Sequence, residues 1–516
     1  MFLGLYFYLK INQFLNLWLK FLYVRLYDMC WQSNILHRDE KRQIEKQDEV
    51  KKMSNTYENN KQMNPLGVEP IGKLLRKFAV PSIISMVVMS LYNIVDQIFI
   101  GQTVGELGNA ATNVAFPLTT LCIATALTFG IGGASGFNLN LGAGDEEKAP
   151  YFIGNGMVMM LGIGVVLSVI ASVAMEPLLL FFGSTENILP FATEYTRIIA
   201  IGFPVAILSS GGAHLIRADG SPKFSMTCNL VGAALNVVLD YFFVIVFDWG
   251  MAGAAAATII GQFVAAAMVV WYLVHFKTIP LKKQHFILRA KICFRTCHLG
   301  MAQGLNQLAI MGVQIVMNKT LTHYGALSTY GADIPLACTG IVMKVNQVYF
   351  SVCIGIAQGM QPIASYNRGA GKFDRVKKTY RLALICNTTI SCIAFVVFQT
   401  LPRQILSIFG SGSPEYFQFA ERFFRIFLFM TFLNGIQPIT STFCTVIGEP
   451  NKGTFLSLTR QVICFIPLML LFPVLFTHFG GPAYGIEGVM YVAPVSDFLA
   501  AVLSLIVIRN VFKKLI

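Results

Sequence analysis

Charged side chains are scarce in this chain, since Asp, Glu, Lys and Arg together make up 13% of its 516 residues. Soluble domains carry about 25% charged residues, so the composition excludes an ordinary soluble protein. The hydrophobic share is 55%, and the mean hydropathy is +0.61. We therefore expect an integral membrane protein.

Several chemical signatures are also missing. The eleven cysteines are scattered, mostly within apolar runs, and do not read as a disulfide framework. There is no Walker loop or other phosphate-cradling loop of the kind that drives an ATP-powered pump. We find no nucleophile, base and metal or oxyanion group gathered near one surface. We therefore expect no enzymatic activity, no catalytic residue and no cofactor.

The net charge of +13 does not indicate nucleic-acid binding, because the basic residues lie in connecting loops. Residues 277–295 and 368–381 each hold six Lys or Arg residues, whereas residues 101–113, 247–251 and 477–485 hold none. Loops rich in Lys and Arg stay in the cytoplasm. The alternation predicts that both termini and the 277–295 loop are cytoplasmic.

One phrase occurs twice in the chain. Asn140-Leu-Gly-Ala-Gly144 recurs 227 residues later as Asn367-Arg-Gly-Ala-Gly371. The echo extends to Gly132 with Gly359, to Gly220-Ser-Pro222 with Gly448-Glu-Pro450, and to Gly250-Met-Ala-Gly253 with Gly485-Ile-Glu-Gly488. A duplicated membrane bundle with a cleft between its halves is typical of secondary transporters.

Twelve apolar runs are long enough to cross about 30 Å of hydrocarbon. They predict an all-α membrane protein with two six-helix lobes, residues 66–276 and 298–516, joined by a basic cytoplasmic linker, residues 277–297. An even number of spans per half makes the internal repeat parallel. The runs fall near 78–100, 114–137, 151–175, 198–216, 224–247, 251–276, 298–318, 335–361, 382–401, 426–447, 461–479 and 486–508.

Residues 1–65 do not fit this scheme. Residues 1–24 are apolar but carry two lysines, and residues 38–62 are polar without helical periodicity, which is typical of disorder. A further span or an interfacial helix is an alternative. We favour a start site assigned too early, with Met53 or Met63 as the first residue.

Ionisable side chains inside a membrane indicate function. Asp96 lies near the outer end of the first run, and Asp240 lies near the outer end of the fifth, one turn beyond Asn236. Thr258 lies about two turns into the sixth run, at a similar depth. Two carboxyls, an amide and a hydroxyl form a site that suits Na⁺ or H⁺. The alternative is that each aspartate only caps or bonds a neighbouring helix.

Three further features are weaker. Pro81 lies in the same run as Asp96 and removes a backbone hydrogen bond, so it is a candidate helix-bending residue. The seventh and eighth runs carry glutamines, which either face a water-filled cleft or bond between helices. Lys344 and Asp497 lie at equal depth and are predicted to pair, unless Lys344 snorkels and Asp497 bonds to a backbone elsewhere.

Certain phrases make the chain resemble the multidrug and toxic compound extrusion family, in its prokaryotic MepA/DinF-like branch. They are Val95-Asp-Gln-Ile-Phe-Ile-Gly101, Asn140-Leu-Gly-Ala-Gly144, Arg217-Ala-Asp-Gly-Ser-Pro-Lys223, Asn236-Val-Val-Leu-Asp240 and Gly250-Met-Ala-Gly253. The resemblance covers residues 66–516. It implies two six-helix lobes in a V around a central cleft, and export of organic cations in exchange for H⁺ or Na⁺.

The resemblance also assigns roles. It implies ion coupling at Asp96, Asn236, Asp240 and Thr258, with Pro81 as the bending proline. The NorM-like branch places acids in its seventh and tenth helices, and the corresponding runs here lack them. We expect organic compounds to bind against aromatic, Met and Gln side chains, namely Met89, Tyr92, Gln307, Gln314, Gln347 and Tyr349.

The reading is therefore a monomeric multidrug antiporter of the cell membrane that binds amphipathic or cationic compounds and no nucleic acid. Na⁺ is the one metal expected, as a coupling ion. A flippase for lipid-linked oligosaccharides or polysaccharides is the alternative. Such a protein should carry arginines in its cleft for phosphate, and the sequence places none deep in a span.

Overall fold

The computed structural model describes residues 64–331, 333–408 and 414–514, so the predicted N-terminal extension lies almost entirely outside the described residues. Within those ranges the chain is all-α, in agreement with the predicted fold class. Nine helices are long and apolar enough to span a membrane: Ile71–Thr103 (span 1), Leu107–Gly142 (2), Ala149–Val173 (3), Pro222–Val246 (5), Gly250–Val274 (6), Ile334–Gly369 (8), Phe373–Thr400 (9), Pro450–Gly480 (11) and Pro482–Lys513 (12).

Three further segments complete the bundle, two of them bent and one less apolar. Span 4 consists of Leu189–Ile201 and Phe203–Ala218, which meet at 58°. Span 10 consists of Glu415–Phe427 and Thr431–Val446, which meet at 43°. Span 7 is Ala290–Ala326, whose 37 residues suffice for a crossing, although its glutamine stripe makes it less apolar than the others. Among the described residues, nine helices and two bent pairs pass as apolar spans, and with Ala290–Ala326 counted by its length they give the predicted twelve.

The duplicated loops adopt the same backbone conformation. Gly144 and Gly371 close the two Gly-Ala-Gly loops with φ of +81° and +69°, and Gly220 and Gly448 have φ of +79° and +89°. Glycine adopts positive φ without the strain that a Cβ adds. Equal turns at equivalent positions support the internal repeat.

The two lobes contact each other near the end of the bundle that carries the basic loops. Leu74 and Phe78 of span 1 are buried in one cluster with Met360 and Ile363 of span 8. The repeated glycines lie in this contact. A Cβ at Gly359 would lie 2.5 Å from the Ala79 Cα, and a Cβ at Gly132 would overlap the Thr296 carbonyl. The glycines therefore allow the backbones of the two lobes to touch.

The linker between the lobes is tied to the first lobe by side chains. The Asp219 carboxylate accepts hydrogen bonds from the Lys277 and Thr278 N–H groups, at 2.8 and 2.9 Å. The Asn155 amide donates to the carbonyl of His285 at 3.0 Å and accepts from the Arg289 N–H at 2.8 Å. Helical structure resumes at residue 290, so the last part of the predicted linker already belongs to span 7.

Candidate functional site

The candidate site begins where spans 5 and 6 approach closely. Gly232 and Gly261 face each other, so that a Cβ at Gly261 would lie 2.7 Å from the Gly232 carbonyl oxygen. This close approach brings Asn236 to Thr258, and the Asn236 amide donates to the Thr258 hydroxyl at 3.3 Å. The pairing agrees with the depth predicted for these two residues.

Asp240 and Asp96 meet next to this pair. The Asp240 side chain is fully buried, and its carboxyl approaches that of Asp96. A carboxyl–carboxyl hydrogen bond requires one of the two groups to donate, so the arrangement fits a shared proton. Both Asp240 oxygens and Oδ1 of Asp96 lack an ordinary donor among the described residues. Oxygens left without donors in this way can accept a proton or ligate a small cation.

A change of helix type marks the same place. The α-helix of span 5 ends at Asp240 and continues as a π-helix over Tyr241–Val246. Span 11 also contains a π-helix, over Thr459–Phe465, which begins ten residues earlier relative to its glycine turn than the one in span 5. Wider π-turns are rare and often accompany functional sites, because they shift the side chains on one face of a helix.

A cavity of about 40 Å³ opens beside Asn236 and Thr258. It has room for a small cation or one to a few water molecules. Met89 and Tyr92, which were predicted to bind the transported compound, line this cavity together with two of the predicted ion-coupling residues. Its other lining residues are Ser209, Ser210, Asn229, Gly232, Ala233, Gly261, Gln262 and Ala265.

Sequence reasoning missed several polar groups of the site. Ser209, Ser210 and Gln262 line the cavity, and the buried ring of Tyr195 interacts electrostatically with Asp96 and Asp240. Tyr195 belongs to the bent first half of span 4, which lies outside the predicted run 198–216. An earlier start for that helix would have identified it.

Pro81 lies inside span 1, which continues through it as one helix. Proline has no N–H, so the Lys77 carbonyl loses its usual helical partner. The helix therefore has a weak point within its contact with span 8, because Ala79 before it and Ile83 and Ser90 beyond it all touch that span. The role of Pro81 in bending stays a prediction.

The predicted position of Tyr349 in a cleft is wrong. Tyr349 is 7% exposed, its hydroxyl donates to the Thr431 carbonyl at 3.1 Å, and it bonds the Ser391 hydroxyl at 2.7 Å. The side chain thus fastens span 8 to spans 9 and 10 inside the second lobe. Residues two apart on a helix point in different directions, so Tyr349 and Gln347 could not both line a cleft. Gln314 and Gln347 are exposed and Gln307 is half-buried, and their role stays a prediction.

The predicted pair of Lys344 with Asp497 is also wrong. The Asp497 carboxylate accepts from the Arg460 Nε at 2.6 Å, and Lys344 makes no ion pair with any described residue. Equal depth did not determine the pairing, because span 11 packs directly on span 12. Arg460 also corrects the statement that no arginine lies deep in a span, because span 11 begins at Pro450 and not near residue 461.

The tenth span likewise extends beyond its predicted limits and includes Glu421. The Glu421 carboxylate lies 3.7 Å from the guanidinium of Arg403, whose side chain is 72% exposed. Because Glu421 pairs with an arginine at the protein surface, it does not belong to a buried cation site. The expectation that the tenth run lacks an acid is wrong, whereas the expectation that the second lobe holds no NorM-like ion site stays a prediction.

A comparison with protein families decides the assignment of this duplicated bundle. The MatE family model matches residues 81–242 and again residues 304–471. The chain belongs to the MatE family. The two matches fall one in each lobe, as the repeat of loops and glycines requires, and the chain is a multi-pass membrane transporter of the MepA-like branch.

Known proteins of the family align over most of this chain. The multidrug export protein MepA of Staphylococcus saprophyticus is 23% identical over 438 residues, which cover 84% of this chain and 93% of the relative. The FAD transporter of Shewanella oneidensis is 23% identical over 443 residues, with the same coverage. A MATE crystal structure in the straight conformation matches with a TM-score of 0.80 at 22% identity, covering 89% of this chain and 99% of the other.

Proposed function

We propose that this MatE transporter exports amphipathic, often cationic organic compounds in exchange for H⁺ or Na⁺ by alternating access. The observation that carries the proposal is the contact between the carboxyls of Asp96 and Asp240, beside the Asn236–Thr258 hydrogen bond and the cavity. Buried ionisable groups are costly inside a membrane and are kept there for function. The multidrug export names of the MepA relatives support the same class of cargo.

The coupling follows from what the two carboxyls can hold. With one proton between them, they form a neutral-plus-anion pair bridged by a hydrogen bond. When that proton leaves, the two negative charges repel unless a cation replaces it. The oxygens of Asp96, Asp240, Asn236 and Thr258 are hard ligands of the kind that Na⁺ accepts. Ion loading thus determines whether span 1 and span 5 are held together.

Span 1 connects this site to the contact between the lobes. Its half near the basic loops packs against span 8 through Ala79 and Gly359, and its other half carries Asp96. Pro81 weakens the helix between these two points. A change at Asp96 can therefore alter the lobe contact, and the transporter must break that contact to open towards the cytoplasm.

The linker and both termini are placed in the cytoplasm in this proposal, and the protein acts as a monomer. The transported compound remains the open part. A flippase for lipid-linked sugars stays the second candidate, since Arg460 removes one argument against it. The Shewanella oneidensis relative, named for FAD, adds a dinucleotide to the range of cargo in the family.

Dye efflux from proteoliposomes tests the proposal. The purified protein is reconstituted, and efflux of ethidium is followed under a pH gradient alone and under a Na⁺ gradient alone. We expect one gradient to drive efflux and the Asp240→Asn variant to lose that drive. Asp248→Asn makes the same chemical change in an exposed loop and serves as the matched control. Absence of gradient-driven efflux by the unmodified protein would falsify the proposal.

A further inference from the structure

The second lobe contains an ion pair at membrane depth that the transport proposal does not use. Arg460 lies about 15 Å along span 11 from Pro450, and Asp497 lies about 22 Å along span 12 from Pro482. Their side chains are 13% and 4% exposed, and the Arg460 Nε donates to Asp497 Oδ1 at 2.6 Å. Charged groups so deep in a span are rare and usually serve a function.

Only one nitrogen of the Arg460 guanidinium has a hydrogen-bond partner among the described residues. Its Nε is bonded to Asp497, whereas its two terminal nitrogens make no hydrogen bond with any described residue. These nitrogens are not fully enclosed, because the arginine side chain keeps part of its surface accessible. A planar guanidinium with both terminal nitrogens free presents the two-pronged donor that matches a carboxylate or phosphate.

An aromatic surface lies beside this donor. The Arg460 Cζ is 5.9 Å from the ring centroid of Phe350 on span 8. Span 7 and span 12 pack against the π-helical segment that carries Arg460. The surroundings therefore combine a fixed cation with an aromatic face, which suits an aromatic compound that bears an anionic group.

The internal repeat gives an independent reason to regard this as a binding position. The glycine pair Gly220 and Gly448 aligns spans 5 and 11, and at that offset Arg460 corresponds to Gly232. The pair Gly250 and Gly485 aligns spans 6 and 12, and at that offset Asp497 corresponds to Gln262.

Gly232 and Gln262 both line the cavity of the first lobe. In the second lobe a π-helix, Thr459–Phe465, contains Arg460 itself, whereas the π-helix of the first lobe, Tyr241–Val246, begins nine residues beyond Gly232. The position that borders an acidic, cation-suited site in one lobe holds an arginine in the other.

We propose that Arg460 forms an anion subsite of the second lobe, which receives the carboxylate or phosphate of an aromatic substrate while Phe350 contacts its ring. Asp497 orients the guanidinium and leaves its terminal nitrogens to the ligand. The inference rests on the proposed export function and narrows its cargo, because it adds anionic and zwitterionic aromatic compounds to the cationic ones.

Two dyes with a common xanthene skeleton test the subsite. Fluorescein carries negative charge and tetramethylrhodamine methyl ester carries positive charge, and their binding to the purified full-length protein is measured by fluorescence anisotropy. We expect Arg460→Gln to reduce the ratio of fluorescein affinity to rhodamine affinity roughly tenfold or more, since a charge-assisted pair is lost. Asp497→Asn should change the ratio in the opposite direction, because it leaves the cation without its internal partner.

A purely structural ion pair gives a different result, in which both single variants weaken both dyes alike. That result, or no fluorescein binding by the unmodified protein, overturns the inference. Gradient-driven ethidium efflux is read separately. If the unmodified protein shows no such efflux, the transport proposal is contradicted. If it shows efflux but Arg460→Gln leaves the ratio of the two dye affinities unchanged, only the subsite is contradicted.

A measurement on the unmodified protein guards against a variant that fails to fold. Phenylglyoxal modifies accessible arginines, and mass spectrometry locates the modified residues. Phenyl phosphate should protect Arg460 but not Arg509, which is exposed near the end of span 12. Equal protection of both arginines, or of neither, contradicts the subsite.

Discussion

Removing one of the two carboxyls at the candidate ion site should separate folding from transport. Asp240→Asn keeps the size of the side chain but cannot share a proton with Asp96 as a second carboxyl does. Two charges about 4 Å apart repel by roughly 4 kcal/mol at an effective dielectric constant of about 20. That energy corresponds to a factor of roughly a thousand between the ion-loaded and the empty pair. The variant loses this difference, so the gradient no longer selects one conformation.

The folded protein should tolerate the change. The Asp240 side chain is fully buried, and both of its carboxyl oxygens lack an ordinary donor, so the site stores unfavourable free energy. An uncharged amide removes the cost of the charge. We expect wild-type abundance in the membrane and a thermal midpoint that is equal or higher, a common outcome where a functional site is strained.

The assay compares Asp240→Asn, Asp96→Asn and the loop control Asp248→Asn in proteoliposomes under the gradient that drives the unmodified protein. Efflux by the two site variants should fall to the rate without a gradient, while the control keeps its rate. If either site variant retained more than about half of the driven rate at normal abundance, the coupling role would be refuted. A lower thermal midpoint in both site variants would instead indicate a structural role.

The lobe contact, the linker and the membrane topology can each be tested separately. Gly359→Ala should stop efflux because its Cβ would meet the facing helix, whereas Gly340→Ala on the same span has open space and should preserve efflux, as measured with ethidium. Burial and the neighbouring Lys282 and Arg289 lower the pKa of His285 in the linker. The folded linker therefore favours neutral His285. The stability that this histidine contributes is complete above its unfolded-state pKa of about 6.5 and is lost as the pH falls through its lower folded-state pKa. Hydrogen exchange of residues 277–289 measures this loss. A single cysteine introduced at Gln284, after removal of the native ones, should resist an impermeant reagent on intact cells, whereas one at Asp248 should react.

Much of the fold could be predicted because apolar run length is a direct consequence of membrane thickness. The bends in spans 4 and 10 differ in how far the sequence predicts them. Span 4 bends between Ile201 and Phe203, where Gly202 and Pro204 give a recognisable signal. Span 10 bends between Phe427 and Thr431, where neither glycine nor proline occurs, and the nearest signal is Gly435, at which the helix is interrupted again.

Depth along a helix could also be predicted, but rotation about its axis could not. Asn236 and Thr258 meet as expected because small glycines fix how spans 5 and 6 face each other. Tyr349 and Lys344 had no such marker, and the predicted contacts of both were wrong. The depth of a polar residue becomes informative about its partners only when a close-packing glycine or a repeat also fixes the helix face.

The omission of Arg460 shows how a hydropathy limit can hide a charge. Hydropathy predicts that the apolar run of span 11 begins at residue 461, immediately after the arginine, because charged residues lower the local average. A different signal marks the true start of the helix: Gly448-Glu-Pro450 places a proline in the first turn, as Gly220-Ser-Pro222 does for span 5. With span 11 starting at Pro450, the arginine lies well inside the membrane, and a buried partner such as Asp497 becomes a requirement. In a duplicated transporter, the start of a helix is therefore predicted better from the equivalent helix of the other half than from hydropathy. The two predictions differ where a charged residue lies at the edge of an apolar run.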